Sequence, residues 1–137
     1  MRIMALDVGD RKIGVAVSDS LLLTAQARPT LERKNLESDL LRLAQIAEDD
    51  EVSTIVVGKP IHMDGRESRQ SDKVARFARN LSKHLGLPVI FQDERLTSFA
   101  AEQHLEEMGL NWRKRREHVD KIAAMFILQE FLDSRKP

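Results

Sequence analysis

Three carboxylates stand where the chain's apolar pattern gives them an unusual place. Asp7 sits in "RIMALDV", near the end of an apolar run. Glu94 follows the apolar "PVIF" in "FQDERLTS". Asp120 extends a helical stripe: at about 100° per residue it shares a face with Ala124, Ile127 and Phe131, at that stripe's N-terminal end, while Lys121, Gln129 and Asp133 point elsewhere. Each acid has an ordinary reading by itself. Asp7 can be a turn former, Asp93 and Glu94 can make a solvated turn with Arg95, and Asp120 can be a first-turn acid tolerated by the helix dipole. Brought together, the three repel one another unless a cation lies among them. Hard divalent ions such as Mg²⁺ or Mn²⁺ take oxygen ligands of this kind. Two such ions about 4 Å apart activate water and stabilise the leaving oxygen of a phosphodiester. That reaction asks for in-line positioning and charge neutralisation rather than covalent help from the protein.

The elements that must position these acids follow from periodicity. Arg2–Val8 reads as a strand, Gly9–Lys12 as a turn and Ile13–Ser18 as a second strand, an antiparallel hairpin in which Gly14 marks a bulge or a close approach. A third strand over Ala27–Arg33 carries Pro29, which suits an edge. Asn35 caps a helix in which Leu36, Leu40, Leu43, Ala44 and Ala47 recur at helical spacing. "STIVVG" at 53–58 is a β-branched run of the sort covered on both faces, followed by the loop "KPIHMDG". A long helix spans Glu67–Leu85, stopped by Gly86 with Pro88 beyond. "PVIFQDE" is the last strand, "LTSFAAEQHLEEMG" a helix, "LNWRKRRE" a polar loop and "HVDKIAAMFILQEFL" the final helix. The order implies a mixed α/β sheet whose first, fourth and fifth strands run parallel. Ligands in such sheets gather outside the carboxyl ends of the strands, where Asp7, Gly58, Asp93 and Glu94 fall. If the first and last strands are not neighbours, about 10 Å separates Asp7 from Glu94.

The bulk composition narrows the class. A chain of 137 residues with 42% hydrophobic content fits one domain over 1–137 with a real core. No apolar run is long enough to cross a bilayer, and the N-terminus lacks a signal-peptide pattern. With no cysteine there is neither a disulfide framework nor a thiolate metal site, so the expectation is a protein of the reducing cytoplasm. The 22 basic and 22 acidic side chains cancel, so only their distribution can reveal a polyanionic partner. On the long helix Arg69, Lys73, Arg76 and Lys83 fall within about 100° of one another, with Arg66 at the entry. Val74, Phe77, Ala78, Leu81 and Leu85 make a separate, core-facing side. The basic stripe is a solvated face or a phosphate track. "WRKRR" sets Arg113, Lys114, Arg115 and Arg116 beside the single Trp112, which either stacks on a base or packs as a surface cap. Arg11 and Lys12 flank Asp7 and suit phosphate, and Arg95 pairs with an acid or with substrate. The absence of tyrosine argues for backbone-led recognition.

Four blocks, "LDVGDRKIGVAVSD", "VVGKPIHMDGRES", "DERLTS" and "HVDKIAAMFIL", resemble in order and spacing the signature blocks of the YqgF family, also called RuvX. The resemblance spans nearly the whole chain. It implies a ribonuclease H-like fold: a mixed five-stranded sheet, with a three-strand antiparallel meander plus two parallel strands, flanked by helices. It further implies a Mg²⁺- or Mn²⁺-dependent endonuclease that processes the 5′ end of precursor 16S rRNA in ribosome biogenesis. The family was first described as Holliday junction resolvases, so branched DNA is an alternative substrate. By position, Asp7, Glu94 and Asp120 correspond to the family's catalytic, metal-binding acids, with Asp93 as an additional ligand. Where many members have Leu after "VG" this chain has Lys59, a cation beside the expected phosphate path, and Gly9 is expected to leave room for a phosphate or a water. Two other readings stand beside this one. The hairpin also resembles the first phosphate loop of sugar-kinase and actin-like ATPases, which need a duplicated domain that 137 residues do not accommodate. A non-catalytic module acting in ribosome assembly or transcription is the other. The expected assembly is a monomer or a homodimer.

Overall fold

The computed structural model describes residues 1–59, 69–93 and 112–135, the last segment in side-chain detail from residue 122 onward. Its elements are β1 (Arg2–Val8), β2 (Lys12–Ser18), β3 (Ala25–Glu32), α1 (Leu36–Asp49), β4 (Val52–Lys59), α2 (Arg69–Leu85), β5 (Val89–Asp93) and α3 (Trp112–Ser134). The strands form one sheet in the order β3-β2-β1-β4-β5. The β1–β2 and β2–β3 pairs are antiparallel, while β1–β4 and β4–β5 are parallel. The mixed sheet expected from the sequence is therefore the one observed, with Pro29 on an edge strand.

Strand alternation sorts the core into two layers. Met4, Leu6 and Val8 of β1, with Val15, Ile55 and Val57, pack against Leu40 and Leu43 of α1 and Val74, Phe77 and Leu81 of α2. Ile3 and Ala5, with Ala16 and Val56, pack against Ala124, Ile127, Leu128 and Phe131 of α3 on the opposite face. Each fully buried aliphatic chain here contributes about 1.5–3 kcal/mol. Ala5 pairs directly with Ala16, so the centre of the α3 layer is built from small side chains that let the helix approach the strands. The ends of the helices are fixed locally. Asn35 Oδ1 accepts the Ser38 N–H at 2.8 Å at the start of α1. Gly86, at φ +67°, ends α2 and donates its N–H to Ser82 O at 2.8 Å.

The start of α3 departs from the sequence expectation. "WRKRR" is helical from Trp112 onward rather than a loop. No glycine or proline separates Trp112 from His118, and tryptophan, arginine and lysine all tolerate a helix. Polarity alone had suggested a loop there. Asp120 consequently lies more than two turns inside α3 and has no first-turn dipole role. The loop at 60–68 and the helix expected over 96–109 lie outside the described residues.

One buried acid braces the carboxyl end of the sheet. Asp39 is only 1% exposed, in the apolar stripe of α1 beside Leu40 and Leu43. Its carboxylate accepts the Lys34 N–H at 3.1 Å, Arg33 Nε at 3.2 Å and an Arg42 guanidinium N–H at 2.7 Å. Burial alone raises its pKa, but the Lys34 N–H, Arg42 and Arg33 together outweigh that and hold it below the usual carboxylate range. Arg33 also donates to Gly9 O at 3.0 Å, its own N–H donates to Arg11 O at 2.8 Å, and its guanidinium lies 5.0 Å from the Phe77 ring centroid. One side chain thus ties α1, α2 and the β1–β2 turn.

Asp39→Asn should destabilise the fold by roughly 2 kcal/mol, less than the 3–5 kcal/mol of a fully buried broken pair, because both arginines keep contact with water. Their exposures are 25% and 30%. The lowered folded pKa means that this stabilisation is complete above the unfolded value near 3.8 and disappears as pH falls through the lower folded value. In urea titrations the gap between wild type and variant should be constant near neutrality and close below about pH 4. A gap that persists at pH 2 would assign the effect to shape rather than charge.

Candidate active site

Asp7 occupies the next inward position of β1 after Ile3 and Ala5, so alternation directs it to the α3 face of the sheet. It is half-buried there, between the fully packed Leu6 and Val8 of the other face. Its partner across β2 is Gly14. The ladder to β4 runs Ala5–Val56 and Leu6–Val57, and its next level brings Gly58 beside Asp7. Asp7 is therefore flanked on both sides by residues without side chains. Gly14 also lies at the irregularity between Ile13 and Val15 in the β2–β3 pairing, the bulge expected from the sequence.

Gly9 has a role in the turn itself. Its N–H bonds to Lys12 O at 2.9 Å, and a Cβ at this position would lie 3.0 Å from the same oxygen. The space Gly9 spares is used, in the protein itself, to close the β1–β2 turn.

α3 carries Asp120 toward the same end of the sheet. Gln129 of α3 accepts the Ala25 N–H at 3.1 Å and donates to Leu23 O at 3.1 Å. Ala25 pairs with Ser18, whose Oγ accepts the Ile3 N–H, so Gln129 lies at the Ile3 level of β1. The nine helical residues from Gln129 back to position 120 rise about 13.5 Å, close to the roughly 13 Å of strand between Ile3 and Asp7, so a helix aligned with β1 would bring the backbone of Asp120 near the level of Asp7. Ala124, one turn after position 120, is buried against the sheet.

Register sets the side of the sheet on which Asp93 stands. β5 pairs Gln92 with Gly58 and Asp93 with Lys59. Residues at one level share a face, so Gln92 lies on Asp7's side of the sheet while Asp93 and Lys59 lie on the α2 side. The Lys59 ammonium, 5.4 Å from the centroid of the Phe91 ring, agrees with that assignment. A one-residue step in a period of two therefore argues against Asp93 as a ligand beside Asp7, and turns Lys59 away from Asp7 as well. Glu94, Arg66 and Arg95 lie outside the described residues. Among the described residues no three His, Cys, Asp or Glu side chains gather into a metal-binding group, and that set includes neither Glu94 nor the Asp120 side chain.

The cations fall into three places. Arg11 and Lys12 are exposed in and beside the β1–β2 turn. Arg69, Lys73, Arg76 and Lys83 are exposed along α2, and Val74, Phe77, Ala78 and Leu81 are buried, as the helical spacing predicted. Trp112 and Arg113–Arg116 occupy the first turns of α3. Arg33 and Asp39 were missed by the sequence reading. The visible signal was an acid at position 39 inside the stripe of Leu36, Leu40 and Leu43, where a solvated residue does not belong.

The family model RuvX, described as Holliday junction resolvase, matches residues 1–134. This chain belongs to the RuvX family. Membership makes it a nuclease, a hydrolase of ester bonds. A relative from Myxococcus xanthus, provisionally named a pre-16S rRNA nuclease, is 45% identical over 137 residues, covering 100% of this chain and 91% of the relative. A relative of the same name from Syntrophus aciditrophicus is 48% identical over 134 residues, covering 98% and 89%. Thermus thermophilus RuvC, solved in complex with a Holliday junction substrate, superposes with a TM-score of 0.61 at 15% identity, covering 98% of this chain and 95% of RuvC. At that identity the likeness establishes the ribonuclease H-like fold expected from the sequence.

Proposed function

We propose that this RuvX-family chain hydrolyses phosphodiester bonds at the 5′ end of precursor 16S rRNA, at a divalent-metal site built from Asp7, Glu94 and Asp120. The observation that carries this reading is Asp7 on the α3 face of the sheet, paired with Gly14 on one side and beside Gly58 at the next level of the β4 ladder. The substrate assignment is supported by the names of relatives that match over nearly their full lengths.

The donor set fits Mg²⁺ or Mn²⁺, because all three side chains offer oxygen and the chain has no cysteine to supply a thiolate. Such an ion, when bound, neutralises phosphate charge and lowers the pKa of water. The protein's own contribution is position. β1 is held on both sides by neighbouring strands, so Asp7 is fixed by a rigid element. Two strands separated by β4 stand about 10 Å apart, which is the spacing between β1, with Asp7, and β5. Arg11 and Lys12 at the turn, and the cations at the start of α3, hold the flanking backbone by charge. No described helix is long and apolar enough to cross a membrane, and the reading places the enzyme in the cytoplasm with nascent rRNA.

The family's description and the RuvC-like fold favour a second substrate, the four-way DNA junction. One experiment separates the two: purified protein is offered precursor rRNA and a four-way junction side by side, with and without Mn²⁺. Metal-dependent cutting confined to the rRNA 5′ leader is the expected result. Cutting of the junction alone would transfer the activity to DNA, and cutting of neither would favour a binding module.

A further inference from the structure

We infer that a cavity between α2 and the β1–β2 turn holds one nucleotide of the substrate strand, on the side of the sheet away from Asp7. This rests on the nuclease reading above and adds a second contact to it. The cavity measures about 370 Å³. That volume is at the small end of ligand sites and fits a single nucleotide rather than a peptide element. Its floor is apolar, from Val8, Val74 and Phe77, and its rim carries Arg33, Lys73 and Arg76 against one acid, Asp10.

The three cations differ in kind. Arg33 is pinned by Gly9 O, by Asp39 and by its stack on Phe77, so it presents a planar, pre-oriented guanidinium of the type on which bases stack. Asn80, also on the cavity wall, offers an amide to a base edge. Arg76 is exposed and makes no ion pair among the described residues. Lys73 has only a loose pairing, 3.5 Å from Asp10 Oδ1, with the two side chains 59% and 66% exposed. So exposed a pairing contributes little, and a backbone phosphate of the strand can replace the carboxylate at Lys73. Asp10 then acts as a weak internal competitor. The route is short. Asp10 follows Asp7 by three residues in the turn that also exposes Arg11, so a strand crossing the carboxyl edge of the sheet passes this turn and enters the cavity.

The test measures binding of a labelled single-stranded oligonucleotide from a precursor 5′ leader to the full chain, without divalent metal, across a salt series. Thermal melting checks that each variant is folded. Lys73→Ala with Arg76→Ala should weaken binding about tenfold and reduce the salt slope by about 1.4, the value for two single-strand contacts. Asp10→Asn should strengthen binding about threefold, because the competitor loses its charge. An unchanged slope in the double variant, or weaker binding in Asp10→Asn, overturns the proposal. Adenosine monophosphate should displace the oligonucleotide better than inorganic phosphate does in the wild type. Equal displacement overturns the nucleotide assignment. None of these readings depends on cleavage, so failure of the wild type to cut would count against the proposed function alone.

Discussion

Asp7→Asn should lower cleavage by at least about 10³-fold, about 4 kcal/mol of barrier, while the protein stays folded. A carboxylate that holds the metal itself should cost more than the 10–100-fold seen for groups that only orient such ligands. Asparagine keeps the shape and one oxygen but loses the charge that a hard cation selects. The fold should scarcely notice. Asp7 belongs to neither apolar layer and stands half-buried at the end of β1. Relieving repulsion among clustered acids can even raise stability, by about 1 kcal/mol or less. The measurement is the initial rate with Mn²⁺ beside a melting curve, and a variant that cuts as fast as wild type would sink the metal-site reading. Asp39 provides the internal contrast. It is an acid of the same chain with its lone pairs spent on Arg33, Arg42 and the Lys34 N–H, so its replacement strikes stability first.

The sequence made this contrast only partly visible. The β1–β2 hairpin and the parallel β1, β4 and β5 were legible because short connections and β-branched runs leave few alternatives, and the observed pairing agrees. The shared face of Asp120, Ala124, Ile127 and Phe131 was legible from helical spacing alone, and the last three are indeed buried together. Register was not legible. "DE" offers two adjacent acids, and only the pairing of Asp93 with Lys59 shows that Asp93 turns away from Asp7. Gly9 was only half legible for a similar reason, since a glycine in a turn says that something comes close without naming it, and within the protein it is the Lys12 carbonyl. Arg33 was invisible because its three partners lie on α1, α2 and the β1–β2 turn, and no local pattern joins them.

The helical start of α3 changes what the cationic run can do, and with it the second large expected effect. Replacing Arg113, Lys114, Arg115 and Arg116 with alanine should weaken nucleic-acid binding roughly tenfold or more. It should also lower the salt slope by about 1.8, the value for two duplex phosphates. In a loop all four cations could follow one backbone, and the slope would fall by about 3.6. On a helix successive residues step by about 100°, so positions 113 and 116 share a side while 114 and 115 are rotated away. Stability supplies the control. Alanine is the better helix former, and cations near a helix N-terminus oppose its dipole by about 0.3–1 kcal/mol each. No acid occupies the first turn of α3 to offset them. The variant should therefore melt no lower than wild type, so that weaker binding cannot be ascribed to unfolding. A helix that keeps four cations at its unfavourable end is accounted for if they serve a polyanion. An unchanged salt slope would make the segment a bystander, and a fall near 3.6 would mean that the substrate engages all four sides of the helix at once.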